Sequence, residues 1–277
     1  MNYNKFKIFE FKLNTMVENP ALLMIAKRGS GKSFIARDLI YHYRDIPGGI
    51  VISPTDRLAG YYKNFFPDLF IHYDIKDSIL KKILIRQRMI IEKEQQKNKI
   101  GKKIDARGIL IMDDCLSRKK SWAKDETIIE ILMNGRHYKL TYLLTMQTPL
   151  GITPDLRLNF DYIFLLKEVT MINQKKLYDN YASIFPTLQI FIKVFRQCTQ
   201  NHCSMVIDNR STSDNIQDKV FWFKAVEREF KFGSKVFRDV HKRYYDPDYM
   251  KKSYQKFIND TMLFKKKNDV DIDIEKV

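Results

Sequence analysis

Residues 21–43, ALLMIAKRGSGKSFIARDLIYHY, constrain this chain more than any other stretch. ALLMIA is a short continuous apolar run, the pattern of a strand covered on both faces. AKRGSGKS follows directly. The next residues place Phe34, Ile35, Leu39 and Tyr43 near helical spacing. A strand, a glycine-rich loop and a helix, in that order, form the setting in which a phosphate-binding loop works. Backbone N–H groups converge on phosphate oxygens at the helix N-terminus, where the dipole favours negative charge. Gly29 and Gly31 flank Ser30 and permit positive φ and close approach. Lys32 supplies an ammonium for the outer phosphates, and Ser33 a hydroxyl for Mg²⁺. The pattern departs at its first position, where Ala26 stands in place of glycine; a Cβ is tolerated there if φ stays negative. Ala26, Lys27, Arg28, Gly29, Ser30, Gly31, Lys32 and Ser33 are read together as a cradle for ATP.

The second half of such a site must come from another strand. GILIMDDC supplies it: Asp113 ends an apolar run, so its carboxylate is expected at the C-terminal edge of the sheet, where open α/β sheets bind ligands. Asp113 can hold Mg²⁺ through water, and Asp114 can orient or deprotonate an attacking water. A small-molecule kinase must keep water from the γ-phosphate, so the second acid favours hydrolysis. LTYLLTMQ ends in Gln147, an amide placed to sense the γ-phosphate, with Thr145 a weaker candidate for that task. Arg136, in NGRHYK, and Arg157, in TPDLRLNFDY, are rival arginine fingers. Each also has a structural reading, as a helix C-terminal cation or a salt-bridge partner.

Along the rest of the chain apolar runs alternate with helical patterns. KFKIFEFKL, IVIS (50–53), LFIHY (69–73), GILIM (108–112), LTYLLTMQ (140–147), DYIFLL (161–166), MVID (205–208) and VFWFKA (220–225) read as strands. Residues 75–100, ETIIEILMNGR, and the regions 171–182 and 187–197 read as helices. The alternation predicts an α/β fold with a doubly wound, mostly parallel sheet of the phosphate-loop NTPase kind. Residues 1–235 are expected to form the ATPase domain. Residues 236–277 are expected to add a basic, aromatic helical appendage and a polar tail.

The net charge of +16 favours a polyanionic partner, nucleic acid before an anionic membrane. Lys102, Lys103, Lys119 and Lys120 are expected near the ligand edge of the sheet as candidates to grip DNA. Three cysteines in a chain this long argue for a reducing interior. Cys198, His202 and Cys203 lack the paired, four-ligand spacing of structural zinc. The N-terminus is interrupted by charge too often for a signal peptide, and no apolar run approaches the ~20 residues of a membrane span.

The string AKRGSGKS, ILIMDDC and GRHYKLTYLLTMQTPLGITPDLRLNFDYIFLL resembles the poxvirus-type DNA-packaging ATPases of large eukaryotic DNA viruses, in the FtsK/HerA branch of phosphate-loop ATPases. The likeness continues through KKLYDNYASIFPTLQIFIKVF and SMVIDNRSTSDNIQDKVFWFKA to FGSKVF, and covers about residues 18–237. It implies a homo-oligomeric ring that uses ATP and Mg²⁺ to pump double-stranded DNA into a preformed capsid. Capsid or membrane-associated capsid proteins would be its partners, and the host cytoplasm or the particle its setting. By the same resemblance Lys32 and Ser33 match the nucleotide loop, Asp113 and Asp114 the acidic pair, Gln147 the sensor glutamine and Arg136 the trans-acting finger. A small-molecule kinase, a DNA helicase and an ATP-binding virion scaffold are the competing readings.

Overall fold

The computed structural model describes residues 7–115 and 125–249, together with 252, 255 and 259. Lys119, Lys120 and the polar tail lie outside the described residues. Among the described residues nine strands form one sheet: β1 (Phe9–Glu10), β2 (Ala21–Ile25), β3 (Gly49–Ile52), β4 (Ile71–His72), β5 (Gly108–Asp113), β6 (Leu140–Met146), β7 (Tyr162–Leu165), β8 (Ser204–Asp208) and β9 (Val220–Phe223). Their order is β1-β9-β8-β7-β2-β6-β5-β3-β4. β8 pairs antiparallel with both β7 and β9, while the other pairings are parallel. The strands at the centre are buried along their whole length, because both faces are covered, and are therefore mostly apolar.

Alternation along β2 divides the core. Leu23 and Ile25 face one layer, built on α3 (Asp77–Asn98), α4 (Glu126–Asn134), α6 (Met171–Tyr181) and α7 (Leu188–Cys198). Leu22 and Met24 face the other, built on α1 (Lys32–His42) and an aromatic group that includes Tyr62, Phe65, Phe66 and Phe232. Helices on both faces make the sheet doubly wound, as the sequence predicts. Two single-turn helices, α2 (Asp56–Ala59) and α5 (Pro154–Arg157), lie in the connections. Helix α8 spans Lys235–Tyr244. It is joined to the core by Phe237, which stacks on Phe70 at 4.1 Å between ring centroids.

Two expectations are corrected. KFKIFEFKL pairs over Phe9 and Glu10 alone among its described residues, because the edge of the sheet offers β1 one partner, β9. Lys102 and Lys103 do not lie near the ligand edge. They follow α3, which carries the chain back to the start of β5, so they sit exposed at the N-terminal rim while Asp113 marks the other.

Candidate active site

The loop forms where β2 hands over to α1. Ala26 is an added residue of strand rather than a turn: it is 1% exposed, stays out of the positive-φ region, and its N–H donates to Met146 O at 2.9 Å. That explains how alanine replaces the first glycine. The turn is made further on, by Gly29 at φ 78° and Gly31 at φ 95°, a region costly for residues with a Cβ. Ser30 folds back to Lys27 through its N–H and its hydroxyl, both bonded to Lys27 O. Helix α1 then starts at Lys32 with Gly31 as its N-cap, and the cap is made by no side chain. The backbone N–H groups of this terminus are therefore offered to an anion.

Lys32 Nζ, at the start of α1, lies 3.0 Å from Oδ1 of Asp113, at the end of β5. β6 sits between β2 and β5 and contributes to both acids. Thr145 Oγ1 donates to Asp113 Oδ1 at 2.5 Å and accepts from the Asp114 N–H at 3.1 Å. Gln147 Nε2 donates to Asp114 Oδ2. Asp114 itself is held at φ 53°, a left-handed conformation that aspartate tolerates and that clusters at functional sites. A cleft of about 340 Å³ opens over this group, bounded by Lys32, Ser33, Thr55, Asp114 and Gln147.

Sequence reasoning missed the turn after β3. Ser53 Oγ donates to Asp113 Oδ2 at 3.1 Å, and Tyr61 Oη donates to Ser33 O at 2.9 Å. Burial first, then the charge of the nearby Asp113 carboxylate, pushes the Tyr62 phenol well above its ordinary range. Asp56 organises the turn by accepting the N–H groups of Tyr61 at 2.6 Å and Tyr62 at 3.2 Å. Nothing in SPTD or GYY separates these residues from an ordinary connection. Next to Asp114, burial raises the Cys115 thiol far above the usual range; it donates to Ile52 O at 3.2 Å and is a packing group.

On the other side of the loop lies a cleft of about 1140 Å³, reaching from Gly29 and Phe34 to His202 and Lys224. Its wall includes Asn201 and His202, both in the left-handed region at φ 51° and 63°. His202 borders Gly31 so closely that a Cβ on the glycine would lie 3.9 Å from the imidazole.

Arg136 is not part of this cluster. It sits at the opposite rim, before β6, and pairs with Asp161, whose other oxygen accepts the Ala21 N–H at 2.8 Å. Its side chain is 57% exposed. Arg157 donates to Ile152 O at 3.0 Å and to Asn180 Oδ1, and packs over Tyr181.

A loop leading into a helix N-terminus, with carboxylates from a separate strand of a mostly parallel sheet, is an α/β fold of the kind found in phosphate-loop ATPases. Solved structures agree. The genome packaging NTPase B204 from Sulfolobus turreted icosahedral virus 2, in complex with sulfate, superposes with a TM-score of 0.51 at 16% identity, over 76% of this chain and 99% of that one. EssC (ATPases 2 and 3) from Geobacillus thermodenitrificans gives 0.51 at 12% identity, over 86% of this chain and 45% of that one. At such identities the likeness is one of fold. No protein-family model matches the sequence. The chain belongs to a family of viral proteins with uncharacterized members in Acanthamoeba polyphaga mimivirus and Invertebrate iridescent virus 6. The first is 62% identical over 276 residues, covering 99% of this chain and 97% of the relative. The second is 33% identical over 248 residues, covering 87% and 92%.

Proposed function

We propose that the protein is an ATP-hydrolysing motor that moves double-stranded viral DNA into a preformed capsid. The observation that carries the reading is the 3.0 Å approach of Lys32 to Asp113 across a cleft that also holds Asp114 and Gln147. In this reading the N–H groups of residues 27–33 and the Lys32 ammonium bind the triphosphate. Asp114, held by Gln147, orients the attacking water, and Gln147 transmits loss of the γ-phosphate along β6. The nucleoside occupies the larger cleft beside His202.

The site fits Mg²⁺. That ion keeps most of its waters and takes one or two protein oxygens together with phosphate. Ser33, at the cleft, would supply such an oxygen, and Asp113 would hold the ion through one of its waters. Among the described residues no group of three or more His, Cys, Asp or Glu forms an all-protein cage. When bound, the ion would neutralise charge developing on the β- and γ-phosphates.

A homo-oligomeric ring is part of the proposal, since head-to-tail contacts set unlike surfaces against each other and close into rings. Half-exposed Arg136 is then the group offered to the nucleotide of the next subunit. The DNA contact is to backbone phosphate and independent of sequence, consistent with the +16 charge. Family members in DNA viruses, and a fold neighbour named as a genome packaging NTPase, support a viral assembly site in the host cytoplasm. Capsid or membrane-associated capsid proteins are the proposed recruiters. Among the described residues no helix is long and apolar enough to cross a membrane. The test is phosphate release by size-resolved oligomers with and without long duplex DNA. Stimulation that fades steeply with salt is expected. Hydrolysis indifferent to DNA, or a phosphorylated small-molecule product, would overturn the reading.

A further inference from the structure

Asp113 is gripped from both sides. Its strand, β5, lies between β3 and β6. From the β3 side Ser53 donates to Oδ2 at 3.1 Å; from the β6 side Thr145 donates to Oδ1 at 2.5 Å. Both hydroxyl residues are 0% exposed. Their neighbours Ile52, Leu144 and Met146 are buried and apolar, so packing alone would accept alanine or valine at either position. A buried hydroxyl among such neighbours needs a partner, and each of these two has the same carboxylate.

We propose that Ser53 and Thr145 are positioning residues that fix Asp113 from its two neighbouring strands, one hydroxyl to each carboxylate oxygen. The inference rests on the ATPase reading and deepens it. Lys32 and Thr145 share Oδ1, while Ser53 serves Oδ2. Donors from the protein thus face both oxygens, and Asp113 meets the metal through a coordinated water. Groups that orient a metal-binding carboxylate matter at about 10–100-fold in metal affinity or activity.

The two hydroxyls are not equivalent. Ser53 touches Asp113 and the Thr55 hydroxyl, 3.5 Å away. Thr145 also accepts the Asp114 N–H and so helps hold the left-handed backbone that aims the second acid. Loss of Ser53 should therefore weaken the metal alone. Loss of Thr145 should weaken the metal and slow the water attack.

Equilibrium binding of a non-hydrolysable ATP analogue to the full chain, in Mg²⁺ and in EDTA, tests this. Wild type should gain affinity with Mg²⁺. Ser53→Ala should cut that gain by about 10-fold or more and leave binding in EDTA unchanged. Thr145→Val should cut the gain similarly and also lower turnover at saturating Mg²⁺, and Thr145→Ser should restore both. An undiminished Mg²⁺ gain in Ser53→Ala and Thr145→Val would overturn the proposal. So would an equal loss of binding in Mg²⁺ and EDTA, the signature of a merely structural role. Wild-type protein that binds the analogue in neither condition would overturn the ATPase reading itself.

Discussion

The two rims of the sheet carry the same elementary device in different company. At each, a buried aspartate meets a cation: Asp113 with Lys32 at one, Asp161 with Arg136 at the other. At the far rim Asp161 also accepts the Ala21 N–H, so the pair ties the start of β2 to the turn before β6 and is a structural joint. At the loop rim a second acid, an amide, two left-handed glycines and an open cleft join the pair. Charge pairing in itself does not mark a site. The mark is convergence of charge with uncapped N–H groups and open space.

Arg136→Ala is the substitution that divides the comparison most sharply. As a finger acting on a neighbouring subunit, Arg136 is worth about 10³-fold or more in turnover. As a joint, its removal leaves the buried Asp161 carboxylate short of a partner, at a cost of about 1–3 kcal/mol. Adding Asp161→Asn to Arg136→Ala should recover melting temperature but not phosphate release. Recovery of both together would reduce Arg136 to the joint alone.

Lys32→Ala comes next, with an expected loss of about 10²–10³-fold in turnover, the cost of deleting one preorganised donor to developing charge. Its thermal stability should stay close to wild type, because the Ser53 and Thr145 hydroxyls still serve both Asp113 oxygens. Asp161→Asn alone ranks third. The amide keeps an acceptor for the Ala21 N–H, so calorimetry should register no more than about 1 kcal/mol, and ATP turnover should be unchanged. The smallest effect is expected from the exposed pair Lys102→Ala/Lys103→Ala at the far rim. Stability should move by about 0.5 kcal/mol or less, and DNA-stimulated turnover by less than twofold. A large fall in DNA stimulation would return these lysines to the grip.

Much of this asymmetry was legible in the sequence. ALLMIA, the glycines of AKRGSGKS and the doublet in GILIMDDC each announce a local geometry that few alternatives can satisfy. The central strands and the helices also stand where the pattern placed them, because buried parallel strands write themselves as apolar runs, whereas KFKIFEFKL and LFIHY, at the edges, pair over two residues each. The rim on which a lysine falls was not legible. Lys102 and Lys103 precede a strand whose end is functional, and a long helix between strands reverses their position. The direction of β8 was equally hidden, since MVID reads alike either way. Ser53 escaped because one hydroxyl at the end of an apolar run is common. Its meaning comes from Asp113, 60 positions away in the chain.

The reversed strand β8 has a consequence for how such a site can vary. A parallel strand would send its exit toward the cleft; β8 sends its entrance, so the α7–β8 bend carrying Asn201 and His202 abuts the glycine-rich loop. That bend belongs to none of the elements bearing Lys32, Asp113 or Gln147. Under the proposed ATPase reading, base preference can thus drift through insertions or exchanges at residues 199–203 while the cleavage chemistry stays untouched.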